Sequence, residues 1–486
     1  MRRFTRHAAA CNEIQSAQGM LSLCLSVLLL RTTRRWTLRV GAGLCRREVP
    51  AQCFRCDNSS MLQASVLLLI VSIWFPGATR IAGTDGSLSF LLALFCALLS
   101  IGAYAETARR LHRVEATLAT AVLMISAFII ILSLLSMLYA DNPLRTMRAV
   151  FAQVFGFGII PAVAAISTRP KGLVAVDRVV MAIVIMSVVT SCLVAIGLGD
   201  ARFADRAEGY FKHSNQLGIA LSAGLPLIAA KMVSSRKHRV LLLGCLVAVL
   251  LGLVKSGSKT NFVLGVAGLG AFFGLYSIYL IRRKKSPVKI IVGTVVAPIL
   301  LQVSLMALQS LNPRAYNLLA LQLSGGEAHS VVSRQRLWSI SIDLGLSHPF
   351  MGVGAGQPVG HIAPHSHNLF IDFFRTLGVP GLALVSIMVL VVLAYLVSAV
   401  LCTLLGNDRG SDQAAEVNVM VLGASVSLWN YIVANQMSDS FGPSTAAFFW
   451  LPLALLIFYR GMQRSLQTGL ERPKLYAGTG SQLFQH

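Results

Sequence analysis

Residues 378–405 read GVPGLALVSIMVLVVLAYLVSAVLCTLL, 28 positions without a charged side chain. As a helix rising about 1.5 Å per residue, the run spans about 42 Å, more than the roughly 30 Å of a bilayer's hydrocarbon. A membrane strand would instead alternate apolar and polar residues over about 10 positions. The segment is therefore helical, and similar runs recur along the chain. Of 486 residues, 55% are hydrophobic and 13% charged. Further apolar runs fall at roughly 62–79, 87–104, 117–139, 149–167, 173–198, 216–233, 239–255, 260–281, 288–308, 418–435 and 443–459. The expected fold is all-α, a polytopic membrane protein with about 12 transmembrane helices and a long external loop between spans nine and ten.

The net charge of +23 follows from topology. If the residues before Met61 are cytoplasmic, the connections "ARRLHR", "TRPKG", "KMVSSRKHR" and "IRRKKSPVK" and the C-terminal tail share one side. Outside the first 60 residues, that side carries about 20 Lys and Arg against about 12 on the other, so the positive-inside rule places both termini in the cytoplasm. Anionic lipid contacts are a secondary reading, and nucleic acid is not a partner.

Residues 1–60 hold ten Arg, no Lys and five of the nine Cys. Their one apolar run, Met20–Leu30, is too short to span, and Cys53 and Cys56 form a single CxxC with no second pair to complete a zinc site. We expect a basic extension, disordered or arising from a start upstream of the true one at Met61. The remaining divisions are 61–308 for spans one to nine, 309–377 for the external loop with its amphipathic helices, 378–460 for spans ten to twelve, and 461–486 for a cytoplasmic tail.

Chemistry in such a chain gathers in loops, at helix ends or in wet cavities. Five of the ten histidines, His329, His348, His361, His365 and His367, fall in one external loop and its exit. An external imidazole can take a proton from a hydroxyl, bind a metal or simply hydrogen-bond. Carboxylates are scarce there and no HExxH occurs, so neither metal nor any other cofactor is expected. In "SRQRLWSISIDLGL", Arg334 and Arg336 precede Trp338 on a helix at the membrane face that Ser333 could cap. Guanidinium groups there suit phosphate oxygens, with Arg206 as a further charge; lipid-headgroup anchoring is the plainer alternative.

Gly352, Gly354 and Gly356 stand at alternate positions, but the spacing is not GxGxxG and no βαβ unit surrounds them, so a tight or flexible loop is expected. "GLVKSGSKT" imitates a phosphate-binding loop, yet Ser258 stands where its lysine must be. Both are rejected as nucleotide sites. In "PHSHNLFIDFFRTLGVPG", a helix starting at Asn368 would place Asn368, Asp372 and Arg375 on one polar edge, with His367 at its start. The plainer reading is an interfacial helix that His367 and Asn368 cap.

Together, "RAEGYFKHSNQLG", "RQRLW", "SHPFMGVGAGQ" and "SHNLFIDFFRTLGVPG" resemble, in order, the motifs of the O-antigen ligases and the O-antigen or exopolysaccharide polymerases. The resemblance covers about Arg206 to Leu384. It implies glycan transfer from an undecaprenyl-diphosphate-linked oligosaccharide to a sugar hydroxyl of a glycan acceptor, at the periplasmic face of the bacterial inner membrane, without a metal. His367 would then be the base, with Arg334 and Arg206 on the diphosphate, and Arg336, Lys212, Asn215, Asn368, Arg375 and His365 as further binding residues. Lys212–His213 ahead of Ser214–Asn215, and His365 beside His367, depart from the common pattern, so His365 stays a second candidate for the base. The likeness of "FKHSNQLG" favours a polymerase over a ligase acting on lipid A core or a protein, with a chain-length regulator and a flippase as companions. A transporter without chemistry would need functional polar residues at mid-membrane depth, where these spans are nearly uncharged.

Overall fold

The computed structural model describes residues 58–76, 88–110, 113–167, 172–198, 207–283 apart from 212 and 236, 287–324, 329–406, 411–437, 442 and 445–468. The expected N-terminal extension lies almost wholly outside them, and of the expected tail only 461–468 lies within. Fourteen α-helices make up nearly all of the described chain: α1 (Asn58–Trp74), α2 (Leu88–Arg110), α3 (Arg113–Leu135), α4 (Pro143–Ser167), α5 (Gly172–Ala195), α6 (Ser214–Ser234), α7 (Arg239–Ser256), α8 (Lys259–Arg282), α9 (Pro287–Leu311), α10 (Pro313–Leu323), α11 (His329–Ser347), α12 (Leu369–Leu405), α13 (Asp412–Ala434) and α14 (Ala447–Thr468). Among the described residues no strand forms, and Val359 and Ala363 make an isolated bridge.

Each of the twelve expected spans falls on a helix. Among the described residues, eight helices are long and apolar enough to cross a membrane: α3 to α8, α12 and α13. Shorter apolar segments lie in α1, α2 and α9. The last helix, α14, carries Arg460 and Arg464 along its second half.

Burial separates the bundle's centre from its rim. α6 and α13 are covered on nearly every side, as befits helices apolar all round. α6 packs on α7, α8 and α13, while α14 bridges α13 to α4. Small residues let these backbones close up. A Cβ on Gly423 of α13 would stand 2.4 Å from that of Ala230 in α6, and one on Gly158 of α4 would stand 2.4 Å from the Ala93 carbonyl of α2.

Proline supplies the polar contacts of this core. Pro226 interrupts α6 and has no N–H for the Ser222 carbonyl. Asn430 of α13 donates to that carbonyl at 3.0 Å, and Ser427 donates to the neighbouring Ala223 carbonyl. Two uncharged side chains thus satisfy backbone that lipid could not.

The two ends of the bundle differ. At one, Lys231 of α6 pairs with Asp177 of α5 and Glu416 of α13. Nearby in chain register, the fully buried Glu115 of α3 accepts from Tyr395 of α12 at 3.2 Å and Arg464 of α14 at 3.3 Å. The other end collects the loops around residues 136–142, 207–213, 257–258, 312 and 349–368. They are tied together by Ala207 N–H to the Lys255 carbonyl, by Asn312 Nδ2 to the Val254 carbonyl and by Leu369 N–H to the Asn435 carbonyl. The candidate site is built there.

Candidate functional site

The site starts from a broken helix. In α12, Gly378 has φ 66° and ψ −160°, a conformation reserved for glycine, and Pro380 follows two residues later. Pro380 lacks the N–H that an unbroken helix would give the Thr376 carbonyl, and Val379 N–H turns away to the Pro349 carbonyl at 2.7 Å. The Arg375 and Thr376 carbonyls are left over. They accept from Val353 N–H at 2.9 Å and Gly354 N–H at 3.0 Å. The loop expected to be a tight or flexible turn is therefore a clasp on the break, too close for any side chain at Gly352, whose Cβ would come within 2.3 Å of Thr376.

The clasp reaches α3 and α4 as well. Ala355 N–H donates to Ser136 at 3.0 Å, Thr146 donates to the Ala355 carbonyl at 2.9 Å, and Gln357 Nε2 donates to the Asn142 carbonyl at 2.9 Å. Backbone that would be unsatisfied in lipid is consumed between helix ends. The break sits nine residues into α12, at the loop-bearing end of the bundle and away from its middle.

The first segment of α12 carries the histidines. Asn368 is its N-cap, and Oδ1 accepts from Phe370 N–H at 3.1 Å and Ile371 N–H at 3.2 Å, while Nδ2 donates to the Gln436 carbonyl at 3.4 Å. Just before it, His367 has φ +55°, the sole non-glycine residue with positive φ among the described residues. Such a conformation costs on the order of 1–3 kcal/mol and persists where the surroundings over-determine it. Here both flanks are held: Asn368 by its cap, and Ser366 by Asp372. The rings of His365 and His367 meet edge to face with centroids 4.3 Å apart, and His365 Nε2 and His367 Nδ1 are shielded from solvent.

Arg375, expected to meet substrate, has no exposed surface. Its guanidinium donates to Ser366 Oγ at 3.2 Å, to the Pro358 carbonyl at 3.0 Å and to Asp372 Oδ1 at 2.8 Å. Asn368 is likewise committed to capping. The three polar residues read as one edge of a helix thus build the loop, because a buried guanidinium needs a carboxylate and carbonyls around it. Asn215 is similar. Its Oδ1 accepts from Ser258 at 3.0 Å and its carbonyl from Asn261 Nδ2 at 3.1 Å, which fastens the start of α6 to the turn between α7 and α8. That turn is the stretch that imitated a phosphate-binding loop.

α11 faces this assembly with one stripe. Arg334, Trp338, Ser341 and Gly345 lie within an arc of about 60° at 100° per residue. Ser341 and Ser366 hydroxyls stand 2.8 Å apart, and a Cβ on Gly345 would touch the Phe374 ring at 2.5 Å, so the stripe is the face that packs on α12. Arg334 is half-buried on this stripe, about 10 Å along the helix axis from the Ser341 contact. Arg336 is exposed on the opposite face. Ser333 does not cap the helix, since α11 begins a turn earlier, at His329. Arg206 and Lys212 lie outside the described residues. Among the described residues, no three His, Cys, Asp or Glu side chains gather as a metal-binding group.

Sequence reasoning missed the Asp372–Ser366–Ser341 contacts. The sevenfold spacing of Arg334 and Ser341 was a signal for their shared face, but nothing local tied Ser341 to Ser366.

Fold and site together define a helical polytopic membrane protein whose His365, His367 and Arg334 stand at one end of the bundle. Residues 242–386 match the family model described as O-antigen ligase, a span that takes in α7 to α11, the clasp, the histidine loop and the break in α12. The match supports membership of the O-antigen ligase/polymerase family and, with it, a ligase- or polymerase-type glycosyltransferase activity. A search of curated proteins finds no match.

Proposed function

We propose that this protein transfers a glycan from an undecaprenyl-diphosphate carrier to a sugar hydroxyl at the periplasmic face of the inner membrane, lengthening a polysaccharide. The observation that carries the reading is the histidine loop, held in a left-handed turn beside the stripe of α11 that bears Arg334. A hydroxyl is a poor nucleophile. His367 accepts its proton as the oxygen bonds to the anomeric carbon, the bond from that carbon to the carrier's phosphate oxygen breaks, and the configuration inverts. Charge grows on the departing diphosphate, and Arg334 and Arg206 stabilise it without a proton transfer. Lys212 and Arg336 rank behind them, and His365 is the alternative base.

The family description favours a second reading, in which the same chemistry moves a finished chain to lipid A core. The two differ only in acceptor. Deleting the protein separates them: single lipid-linked repeat units accumulate if it polymerises, and long unattached chains if it ligates. His367→Ala and Arg334→Ala each abolish high-molecular-weight polysaccharide under the polymerase reading and leave it unattached under the ligase reading, while membrane insertion stays normal in both. Normal polymer from both variants would sink the assignment.

A further inference from the structure

The proposed reaction needs the two imidazoles held still, and both lie in a loop. What fixes them is a carboxylate. Asp372 Oδ1 accepts from the backbone N–H of Ser366, the residue between the histidines, at 3.0 Å, and from its hydroxyl at 3.0 Å. Arg375 Nη2 completes the set at 2.8 Å. Ser366 has no exposed surface and a single hydroxyl hydrogen. A bond to a carboxylate is about twice as strong as one between neutral groups, so that hydrogen goes to Asp372. The Ser366 oxygen is then left to accept from Arg375 Nε at 3.2 Å and from Ser341, 2.8 Å away on α11.

The chain of contacts runs from the Arg334 stripe, through Ser341 and Ser366, to Asp372. The Asp372 carboxylate also interacts electrostatically with His365, whose ring packs edge-on against His367. We propose that Asp372 is the positioning residue of the transfer reaction. Working through Ser366 and His365, it sets the left-handed turn of His367 and fixes the distance between that imidazole and Arg334. This inference rests on the transferase reading. It assigns a role to a residue that the family resemblance left unassigned.

A simpler role for Asp372 would be to neutralise the buried Arg375. Two variants separate the roles, because removing one partner of a buried pair strands a charge, whereas removing both does not. Asp372→Asn should lower both thermal stability and turnover. In Asp372→Asn/Arg375→Gln, stability should return towards that of the wild type. Turnover should stay at least about tenfold down, and the concentration for half-maximal rate should change by less than about twofold. The assay uses the full chain in detergent and lipid-linked glycan extracted from membranes of a strain lacking this protein. Turnover that recovers along with stability would reduce Asp372 to a counterion and overturn the proposal.

Ser341→Ala decides the matter should the double variant fail to fold. It leaves the ion pair intact and should cut turnover about threefold at unchanged stability, and wild-type turnover would overturn the proposal equally. His367→Ala in the same assay reports on the reading underneath. If it keeps its turnover, the base assignment fails. If it loses turnover while the double variant behaves as the wild type, only the role of Asp372 falls.

Discussion

Replacing Gly378 by alanine tests whether the break in α12 carries the site. At φ 66° and ψ −160° a side chain is strained wherever it points. Here it would also meet backbone, at 2.5 Å from the Pro349 carbonyl oxygen, 2.8 Å from the Phe350 carbonyl carbon and 2.9 Å from Met351 N. Backbone cannot swing aside as a flexible side chain can, so the loop must lift. Lifting it opens the bonds from Val379 N–H to Pro349, from Val353 N–H to Arg375 and from Gly354 N–H to Thr376. With about 1–3 kcal/mol for the dihedral and about 1 kcal/mol for each of three bonds, the local cost is about 4–6 kcal/mol. The control is Gly360→Ala. Gly360 also has positive φ, at +54°, but nothing lies within 4 Å of its would-be Cβ, so only about 1–2 kcal/mol of backbone strain applies. In detergent, thermal unfolding of Gly378→Ala should begin well below that of Gly360→Ala, and cells carrying it should lose polymer. Equal melting curves for the two variants would refute the clasp as a structural element.

Four further outcomes follow from the same contacts. Asn430→Leu leaves the Ser222 carbonyl unsatisfied in the core and should cost about 1–3 kcal/mol. Combined with Pro226→Ala, which lets α6 bond that carbonyl itself, the loss should shrink in a thermal-melt cycle, and strict additivity would contradict the Pro226 argument. Glu115→Ala strips the fully buried partner from Tyr395 and Arg464 and should destabilise by about 3–5 kcal/mol. Glu416→Ala removes a carboxylate that is 37% exposed and leaves Lys231 paired with Asp177, so an exposed-pair loss of about 1 kcal/mol or less is expected. Arg336→Ala, on the exposed face of α11, should keep more than half of wild-type polymer by gel analysis, whereas Arg334→Ala should leave none.

The helices were legible because lipid leaves no choice. A run such as 378–405 can satisfy its backbone only by bonding within itself, so apolar length and the absence of charge locate it. The start expected for that span, at 378, also coincides with the break, although no break within a helix was expected there. The contents of the loop were less legible. Gly352, Gly354 and Gly356 look like a turn in isolation, and only the leftover carbonyls of Arg375 and Thr376, about twenty residues away, give them a task. Arg375 and Asn368 looked like residues that meet substrate, yet their donors and acceptors are used inside the protein.

The sequence by itself thus determined the membrane-spanning helices and the segments that gather the histidines and arginines. Tertiary structure decided which polar residues are mounts and which are presented. Hydrophobic length is a property of a segment taken alone, whereas the burial of Arg375, the turn at His367 and the facing of Arg334 depend on groups brought together from α3, α4, α11 and α12. Spacing along the chain records a hydrogen bond only when both partners belong to one helix.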